Sequence, residues 1–378
     1  MLRRPVLNLI RPTAVLTVAV AGVVAAAGAL PAQAARVPAG RTAAAAPGWR
    51  ITRTFTTKNT FLDDVVAFHN GTAWASGETP AQTPVLYHLT GTGWHAVALP
   101  GPTGSFVSNV NASSPTNVWA TIANEPDVAH LTSHGWVLVS FADGSDDVLM
   151  DGLATTSPRN VWVFTYDFTT KLPYAHHFNG SSWKTTQLPA IVDGNSLTEL
   201  VSASSADNIW TLADKGSATV TMRYNGHKWQ TFPLPASTVP AGQMVFVRQI
   251  LAESASNVWI AVWTAKGEVA GPVVLMHWNG HHWSKAAGKP PAGVLSGPIA
   301  PDGRGGLWLG AQSGTGSPFF LHYRAGVWTR FRSPTNSRGP LTLSALVLIP
   351  RTRSLFGVGD LGANFGGDNG AAILKFGR

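Results

Sequence analysis

Acidic and polar side chains recur at one register of this sequence, and their types suit binding or catalysis. The register lies eleven residues before each member of a regularly spaced aromatic series and holds Asp63, Ser108, Asp151, Glu199, Arg248, Gly297 and Ala345. Asp64 and Asn109 lie directly beside two of these residues. Carboxylates near a guanidinium can bind sugars, hold a cation or perform acid–base catalysis if the fold gathers them in a concave mouth. A polar, solvated rim with no specific role is the alternative interpretation.

Other chemistry has weaker support in the sequence. The acidic segment 143–151 carries four carboxylates, and such oxygen-rich loops can hold Ca²⁺, but its spacing matches no known calcium loop. No Gly-x-Ser-x-Gly elbow occurs, and the glycine-rich run 357–370 lacks the Gly-Lys-Ser/Thr ending of a phosphate loop. The chain has no cysteine, which excludes disulfides and thiol catalysis. We therefore predict no catalytic residues, no metal ligands and no cofactor, with Ca²⁺ as the open alternative.

Two out-of-phase tryptophan series define the architecture that must position the rim residues. The first series is Trp74, Trp119, Trp162, Trp210, Trp259 and Trp308, with Phe356 in the seventh place. The second series is Trp49, Trp94, Trp136, Trp183, Trp229, Trp283 and Trp328. Spacings of 43 to 49 residues in the first series suit a four-stranded propeller blade. The sequence therefore predicts an all-β, seven-bladed β-propeller of four-stranded antiparallel blades.

Each repeat divides into four strands, named a to d from the axis outward. An aliphatic column nine residues before the first-series aromatic marks strand a, and the aromatic itself lies in strand b. Strand c ends in a basic residue, occupied in turn by His88, His130, His177, Arg223, His277, His322 and Lys375. One such residue per blade cannot converge on a single ion, so we expect a repeated hydrogen-bonding role at the blade corner. We expect the tryptophans to pack between sheets, with their N–H groups satisfied nearby.

The two ends of the repeat region complement each other. Residues 49–52 read as a strand d without a preceding strand c, and residues 373–376 read as a strand c without a following strand d. Pairing them completes blade seven from both termini and leaves no open sheet edge. We predict that this pairing closes the ring.

The N-terminus has the features of an export signal. Arg3, Arg4 and Arg11 precede an apolar stretch that ends at an Ala-Gln-Ala cleavage signal. The predicted organisation is a signal peptide over 1–34, a flexible Ala-rich segment over 35–47 and the propeller over 48–378. We expect a secreted, extracellular monomer with no stable membrane insertion after cleavage, while an uncleaved anchor stays an alternative. The net charge is +8, and most of the basic residues are scattered along the sequence. The densest arginine group lies within 324–338 and indicates a solvated surface, so we predict no nucleic-acid partner.

The unit Asn257-Val258-Trp259 followed by His277-Trp278-Asn279-Gly280 resembles the secreted Trp-rich propeller repeats of actinobacteria, which are kelch-like. The run 302–310 also resembles the propeller repeat of two-component sensor ectodomains. The resemblance covers 48–378 and implies a propeller, while it leaves the function open.

Two functions are carried forward from these observations. The first is a non-enzymatic module that binds a cell-wall glycan or an extracellular protein at the channel mouth, through Asp63, Asp64, Asn109, Asp151, Glu199 and Arg248. The alternative is a glycan hydrolase or lyase that uses rim carboxylates, which would show two carboxyls facing each other with a perturbed pKa. A binding module would instead expose aromatic loop residues, with Tyr166, Phe168, Phe319 and Phe365 as candidates.

Overall fold

The computed structural model describes residues 48–377 with short gaps. The gaps are 82, 103, 124, 126, 142–147, 190–199, 216–217, 236–243, 267–268, 292–293, 314–315 and 363–368. Side chains outside the description are those at 148–151, 213–215, 218–219, 244–246, 248, 263, 265–266, 269–270, 272 and 294–296. The described residues form strands and turns, and no helix occurs among them.

The described residues form seven four-stranded antiparallel sheets, and the first six follow one another in sequence. Blade one contains β2 (Phe61–Ala67), β3 (Ala73–Glu78), β4 (Val85–Thr90) and β5 (Gly93–Ala98). Blade two contains β6 (Val107–Ser114), β7 (Asn117–Ile122), β8 (Asp127–Thr132) and β9 (Gly135–Ser140). Blade three contains β10 (Val148–Ser157), β11 (Asn160–Asp167), β12 (Leu172–Phe178) and β13 (Trp183–Gln187). Blade four contains β14 (Val201–Ser205), β15 (Asn208–Lys215), β16 (Ala218–Tyr224) and β17 (Trp229–Pro233).

The last three blades end in the predicted closure. Blade five contains β18 (Met244–Ser254), β19 (Asn257–Lys266), β20 (Val269–Trp278) and β21 (Trp283–Lys285). Blade six contains β22 (Val294–Pro301), β23 (Leu307–Ser313), β24 (Pro318–Arg324) and β25 (Val327–Arg332). Blade seven contains β26 (Leu341–Leu348), β27 (Leu355–Leu361), β28 (Ala371–Phe376) and β1 (Trp49–Phe55). The pairing of β1 with β28, with Trp49 opposite Phe376, confirms the closure prediction.

A repeated hydrogen-bonded corner joins strands a, b and c within a blade. In blade two, Asn117 Oδ1 accepts hydrogen bonds from Trp119 Nε1 and His130 Nε2, both at 3.1 Å, and the imidazole stacks on the indole at 3.8 Å. Asn117 Nδ2 donates to Ser113 Oγ of strand a. Asn160 in blade three accepts in the same way from its tryptophan and histidine. His130, His177, His277 and His322 thus have the hydrogen-bonding corner role that their spacing predicts, whereas His88 only stacks on Trp74.

Blades that lack the histidine keep a cation over the aromatic ring. Arg223 lies 5.7 Å from the ring centre of Trp210, and Lys375 lies 5.8 Å from that of Phe356. These are cation–π distances, so each strand b aromatic has either an imidazole ring or a cationic side chain as its partner.

The two tryptophan series meet between blades. Six of the seven first-series rings contact the second-series ring of the next blade at a steep angle, with centroids 5.4–6.1 Å apart; the pairs are Trp74–Trp136, Trp119–Trp183, Trp162–Trp229, Trp210–Trp283, Trp308–Trp49 and Phe356–Trp94. Trp259 instead contacts Tyr323 of the next blade at 5.9 Å. Edge-to-face pairs add to the stabilisation from burial. The expectation that every indole N–H is satisfied was wrong: Trp49, Trp74, Trp183, Trp229 and Trp328 make no Nε1 hydrogen bond among the described residues. Blade one has Thr72 where blades two to five have asparagine, which leaves Trp74 without that acceptor.

We expect ring closure to contribute strongly to stability. A chain that starts at residue 57 lacks β1 and therefore Trp49, which stacks on Phe320 at 3.9 Å. Loss of this one large aromatic costs about 3–5 kcal/mol, which corresponds to a fall of about 10 °C or more in Tm. A chain that starts at residue 48 keeps the strand and is the control. Equal melting temperatures for the two chains, measured by calorimetry, would contradict the closure role.

The corner makes a second prediction about stability. Asn160→Ala removes the acceptor of two donors, the buried indole of Trp162 and the half-buried imidazole of His177, so the free energy of unfolding should fall by about 2–4 kcal/mol in chemical denaturation. Asn179→Ala in the exposed hairpin of the same blade is the matched control, since Asn179 caps only a surface turn. We expect less than about 1 kcal/mol there. A similar loss in both variants would show that the corner has no special weight.

Candidate binding site at the channel mouth

The rim residues lie at β-bulges in the innermost strands. Six strand a segments pair irregularly with strand b at this register, and the bulged residues are Asp63, Ser108–Asn109, Asp151, Arg248, Gly297–Pro298 and Ser344. In blade four, β14 begins at Val201, and Glu199 lies outside the described residues. A bulge bends the strand and redirects its side chain, which makes these positions suited to a binding role.

Blade seven corrects the predicted register by one residue. Val66 pairs with Trp74 in blade one, whereas Val347 pairs with Phe356, because the a–b turn of blade seven is one residue longer. The rim position of this blade is therefore Ser344 and not Ala345. The rim in blade seven carries a hydroxyl, which the repeat alignment had missed.

A cavity of about 570 Å³ lies inside the ring of innermost strands. Its lining includes Asp63, Asp64 and Asn109 from blades one and two, together with residues from the other five blades. Asp151 and Arg248 share the register of these residues, but their side chains are outside the description. The structure therefore brings three of the six predicted site residues together, and the arrangement of the other three stays a prediction.

Asp64 links two blades through its carboxylate. Its Oδ1 accepts from Val65 N–H at 2.8 Å, and its Oδ2 accepts from Val110 N–H of blade two at 3.2 Å. Burial raises the pKa of Asp64 to about 7, and the neighbouring charge of Asp63 adds to the rise, while the two backbone N–H groups oppose it. Asp64 consequently titrates near neutral pH, a property that also suits a proton-exchanging group.

Asn109 has a framework role inside its bulge. Its backbone N–H and its Nδ2 both donate to Thr121 Oγ1, and Nδ2 also reaches Ser108 Oγ at 3.3 Å. Ser108 Oγ and Thr121 Oγ1 are themselves 2.8 Å apart. The side chain of Asn109 is thereby fixed at the channel wall. Only the atoms outside these hydrogen bonds can take part in ligand binding.

The structure reveals a set of interblade acceptors that the sequence interpretation missed. The oxygen atoms of one blade accept from a strand a backbone N–H group of the next; the pairs are Asp64 to Val110, Asn111 to Thr155, Ser202 to Ala252 and Gln249 to Ile299. Asp360 of blade seven accepts from Leu62 N–H of blade one and continues the pattern across the closure. The available signal in the sequence was a polar residue directly before or after the aliphatic column of strand a. Much of the channel polarity therefore serves to join blades.

Two of the predicted loop aromatics are buried. Phe168 is exposed, as a binding residue would be, but Tyr166 and Phe319 lie in the core, and Phe365 is outside the described residues. Phe319 is covered by Arg330, whose guanidinium lies 3.8 Å from the ring centre. The expectation of an exposed aromatic surface was thus wrong for Tyr166 and Phe319.

No group of three or more metal-binding side chains occurs among the described residues. Residues 143–147 of the acidic segment lie outside that part of the chain, so Ca²⁺ binding there stays a prediction. Within the same described part, no helix is long and apolar enough to cross a membrane.

Comparison with known proteins shows similarity at the level of the fold and identifies no family. No family model and no curated protein match the chain. Virginiamycin B lyase from Staphylococcus aureus, solved with quinupristin, is similar with a TM-score of 0.62 and 13% identity over 87% of this chain and 99% of the lyase. YCF48 from Cyanidioschyzon merolae is similar with a TM-score of 0.59 and 14% identity over 87% of this chain and 98% of YCF48. At these identities the likeness shows the propeller fold alone, and membership of the actinobacterial Trp-rich group stays a prediction.

Titration of Asp64 should make stability depend on pH. The folded pKa of about 7 exceeds the unfolded value of 3.8, so the unfolded state loses its proton first and stability falls as pH rises from about 4 to 7. The fall attributable to Asp64 is about 2–4 kcal/mol. Burial lowers the pKa of the corner histidines His130, His177 and His277, which acts in the opposite direction below about pH 6.5. The difference in unfolding free energy between the wild type and Asp64→Asn isolates the carboxyl.

We expect that difference to change across pH 4–7 by the stated amount. Asp207→Asn is the control, because a hydrogen bond from Ser205 lowers the pKa of this exposed carboxyl and its contribution has the opposite sign. A constant difference between the wild type and Asp64→Asn across this range would show that Asp64 stays ionised in the fold.

Proposed function

We propose that the chain is an exported, non-enzymatic binding propeller that recognises a glycan or another extracellular protein at the channel mouth. The observation that carries this proposal is the engagement of the channel carboxylate Asp64 by two backbone N–H groups. The described channel carboxyls, Asp63 and Asp64, are consecutive in one strand, whereas a hydrolase needs two carboxyls on opposite sides of the scissile bond. Export rests on the N-terminal segment 1–34.

The size and lining of the channel support a binding role. A cavity of about 570 Å³ falls in the range of small-ligand sites, and its walls carry carboxyl, amide and hydroxyl groups from successive blades. Such groups are fixed by the interblade hydrogen bonds, so binding does not have to order them. Phe168 adds an exposed ring on a b–c loop of the same face, next to Tyr166 at 5.4 Å.

A glycan-active enzyme is the second candidate. The raised pKa of Asp64 is the observation that favours it, since a carboxyl that holds its proton near pH 7 can act as a general acid. The structural neighbours do not decide between the two functions, because one is a lyase and another, YCF48, is recorded bound to D1 peptide.

A glycan array probed with the purified chain from residue 35 tests the proposal. Asp63→Asn should weaken binding of the selected glycan about tenfold, because one charged hydrogen-bonding group at the mouth is lost, while the melting temperature stays within about 2 °C. Asp207→Asn, an exposed carboxyl outside the channel lining, is the control and should bind like the wild type. Release of new reducing ends or unsaturated products from bound glycans would contradict the non-enzymatic proposal and favour the enzyme.

A further inference from the structure

A second cleft lies on the face opposite the channel mouth, where the a–b turns of blades six and seven meet the c–d turn of blade six and the end of β28. It has a volume of about 920 Å³. Four arginines line it: Arg304, Arg324, Arg351 and Arg353. All four are exposed, and they come from the a–b turns of blades six and seven and from the end of β24. This cleft is distinct from the channel, and the channel proposal does not depend on it.

Direct contact between two turns brings the arginines together. Gly303, at φ +72°, sits so close to blade seven that a Cβ atom on it would lie 2.7 Å from the carbonyl oxygen of Thr352. Arg304 therefore adjoins the turn that carries Arg351 and Arg353. Arg351 has φ 65°, a left-handed conformation that is uncommon for a side-chain-bearing residue. The blade seven turn is held by hydrogen bonds from the backbone N–H and the hydroxyl of Thr352 to Ile349 O.

The cleft has an excess of positive charge. Among the described residues, none of the four guanidiniums makes a salt bridge. Asp302 is the one carboxylate in the described lining, and it is buried. Its oxygens accept from the N–H groups of Arg304 and Gly306 and from His322 Nε2 at 2.8 Å, so they are turned inward to the blade corner. The four guanidiniums consequently face solvent without a neutralising partner from the described chain.

The floor of the cleft is aromatic. Trp308 packs against Phe331 at 4.8 Å and Phe376 at 4.5 Å, and all three rings line the cavity. Trp308 is buried, whereas the two phenylalanines are half-buried and present part of their rings. The cleft thus combines an apolar floor with a cationic rim, which suits a ligand that has both apolar faces and anionic substituents.

We propose that this cleft binds an anionic oligosaccharide, whose carboxylate or phosphate groups pair with the arginines while the C–H faces of its sugar rings contact Phe331 and Phe376. The planar guanidinium fork matches both anions in a bidentate manner. The volume accepts a short segment of a few sugar rings, which is more than a single ion requires. An acidic peptide would use the charges but would not need the aromatic floor, so it is the ligand class to be excluded.

Titration calorimetry with hexagalacturonate tests the proposal, and its fully methyl-esterified form is the uncharged probe of equal length. We expect binding of the acid that weakens as NaCl is raised, and no binding of the ester. Arg351→Asn with Arg353→Gln should weaken binding at least about tenfold, because two charge-assisted contacts are lost. Asparagine tolerates the left-handed conformation at 351, which protects the fold of this variant. Arg159→Gln, an exposed arginine in the a–b turn of blade three, is the matched control and should bind like the wild type.

A phosphorylated oligosaccharide, compared with its dephosphorylated form, is the second arm and separates phosphate from carboxylate recognition. Binding of either anionic sugar that is lost in the double variant supports the proposal, and it identifies the preferred anion. Failure of both anionic sugars to bind, unchanged binding in the double variant, or equal affinity for hexaglutamate would overturn it. Asp63→Asn should leave hexagalacturonate binding unchanged, so the outcome is separable from that of the channel proposal.

Discussion

The fold depends on how each blade holds the tryptophan of its second strand. In the complete corners, one asparagine oxygen accepts from the indole and from the histidine that stacks on it, so strands a, b and c are joined at one point. The free edge of the indole then meets the tryptophan of the next blade at close to a right angle. Because every ring is held from within its blade and contacts the neighbouring one, the blades take a defined relative orientation. The hydrogen bonds of the corner thus help to set the orientation of neighbouring blades around the propeller axis.

The innermost strand of each blade has a free edge, and backbone N–H groups on that edge need acceptors. Asp64, Asn111, Ser202 and Gln249 supply them across the blade boundaries. A buried polar group without a partner costs more than a typical hydrogen bond contributes, so these side chains stabilise the ring whatever the channel binds. Asp64 illustrates the tension: it joins blades one and two, yet its burial next to Asp63 keeps a proton on it near neutral pH.

The architecture could be predicted from the sequence because it repeats. Blade number, strand order and closure follow from residues that recur at one spacing, and a single error in one repeat is corrected by the other six. The rim was less accessible. The register identified Asp63 and Asp151, but it could not reveal that these residues are β-bulges, since a bulge adds no residue type of its own. The a–b turn of blade seven is one residue longer, so its rim residue is Ser344 and not Ala345, which the repeat alignment had indicated. Burial of Phe319 depended on packing against blade five, which periodicity does not describe.

Residues that depart from the repeat are better candidates for function than residues that recur in every blade. Positions that hold the same role in several blades, such as the corner asparagines and histidines, are explained by packing in each of them. Blades six and seven differ: Asp302 replaces the corner asparagine, the a–b turn of blade seven is lengthened, and the blade itself is assembled from both ends of the chain. The arginines of the opposite face collect at this irregular junction, although they are dispersed in sequence between 304 and 353. A cluster that no repeat column requires, and that no described carboxylate neutralises, is better explained by an external anion than by the stability of the ring.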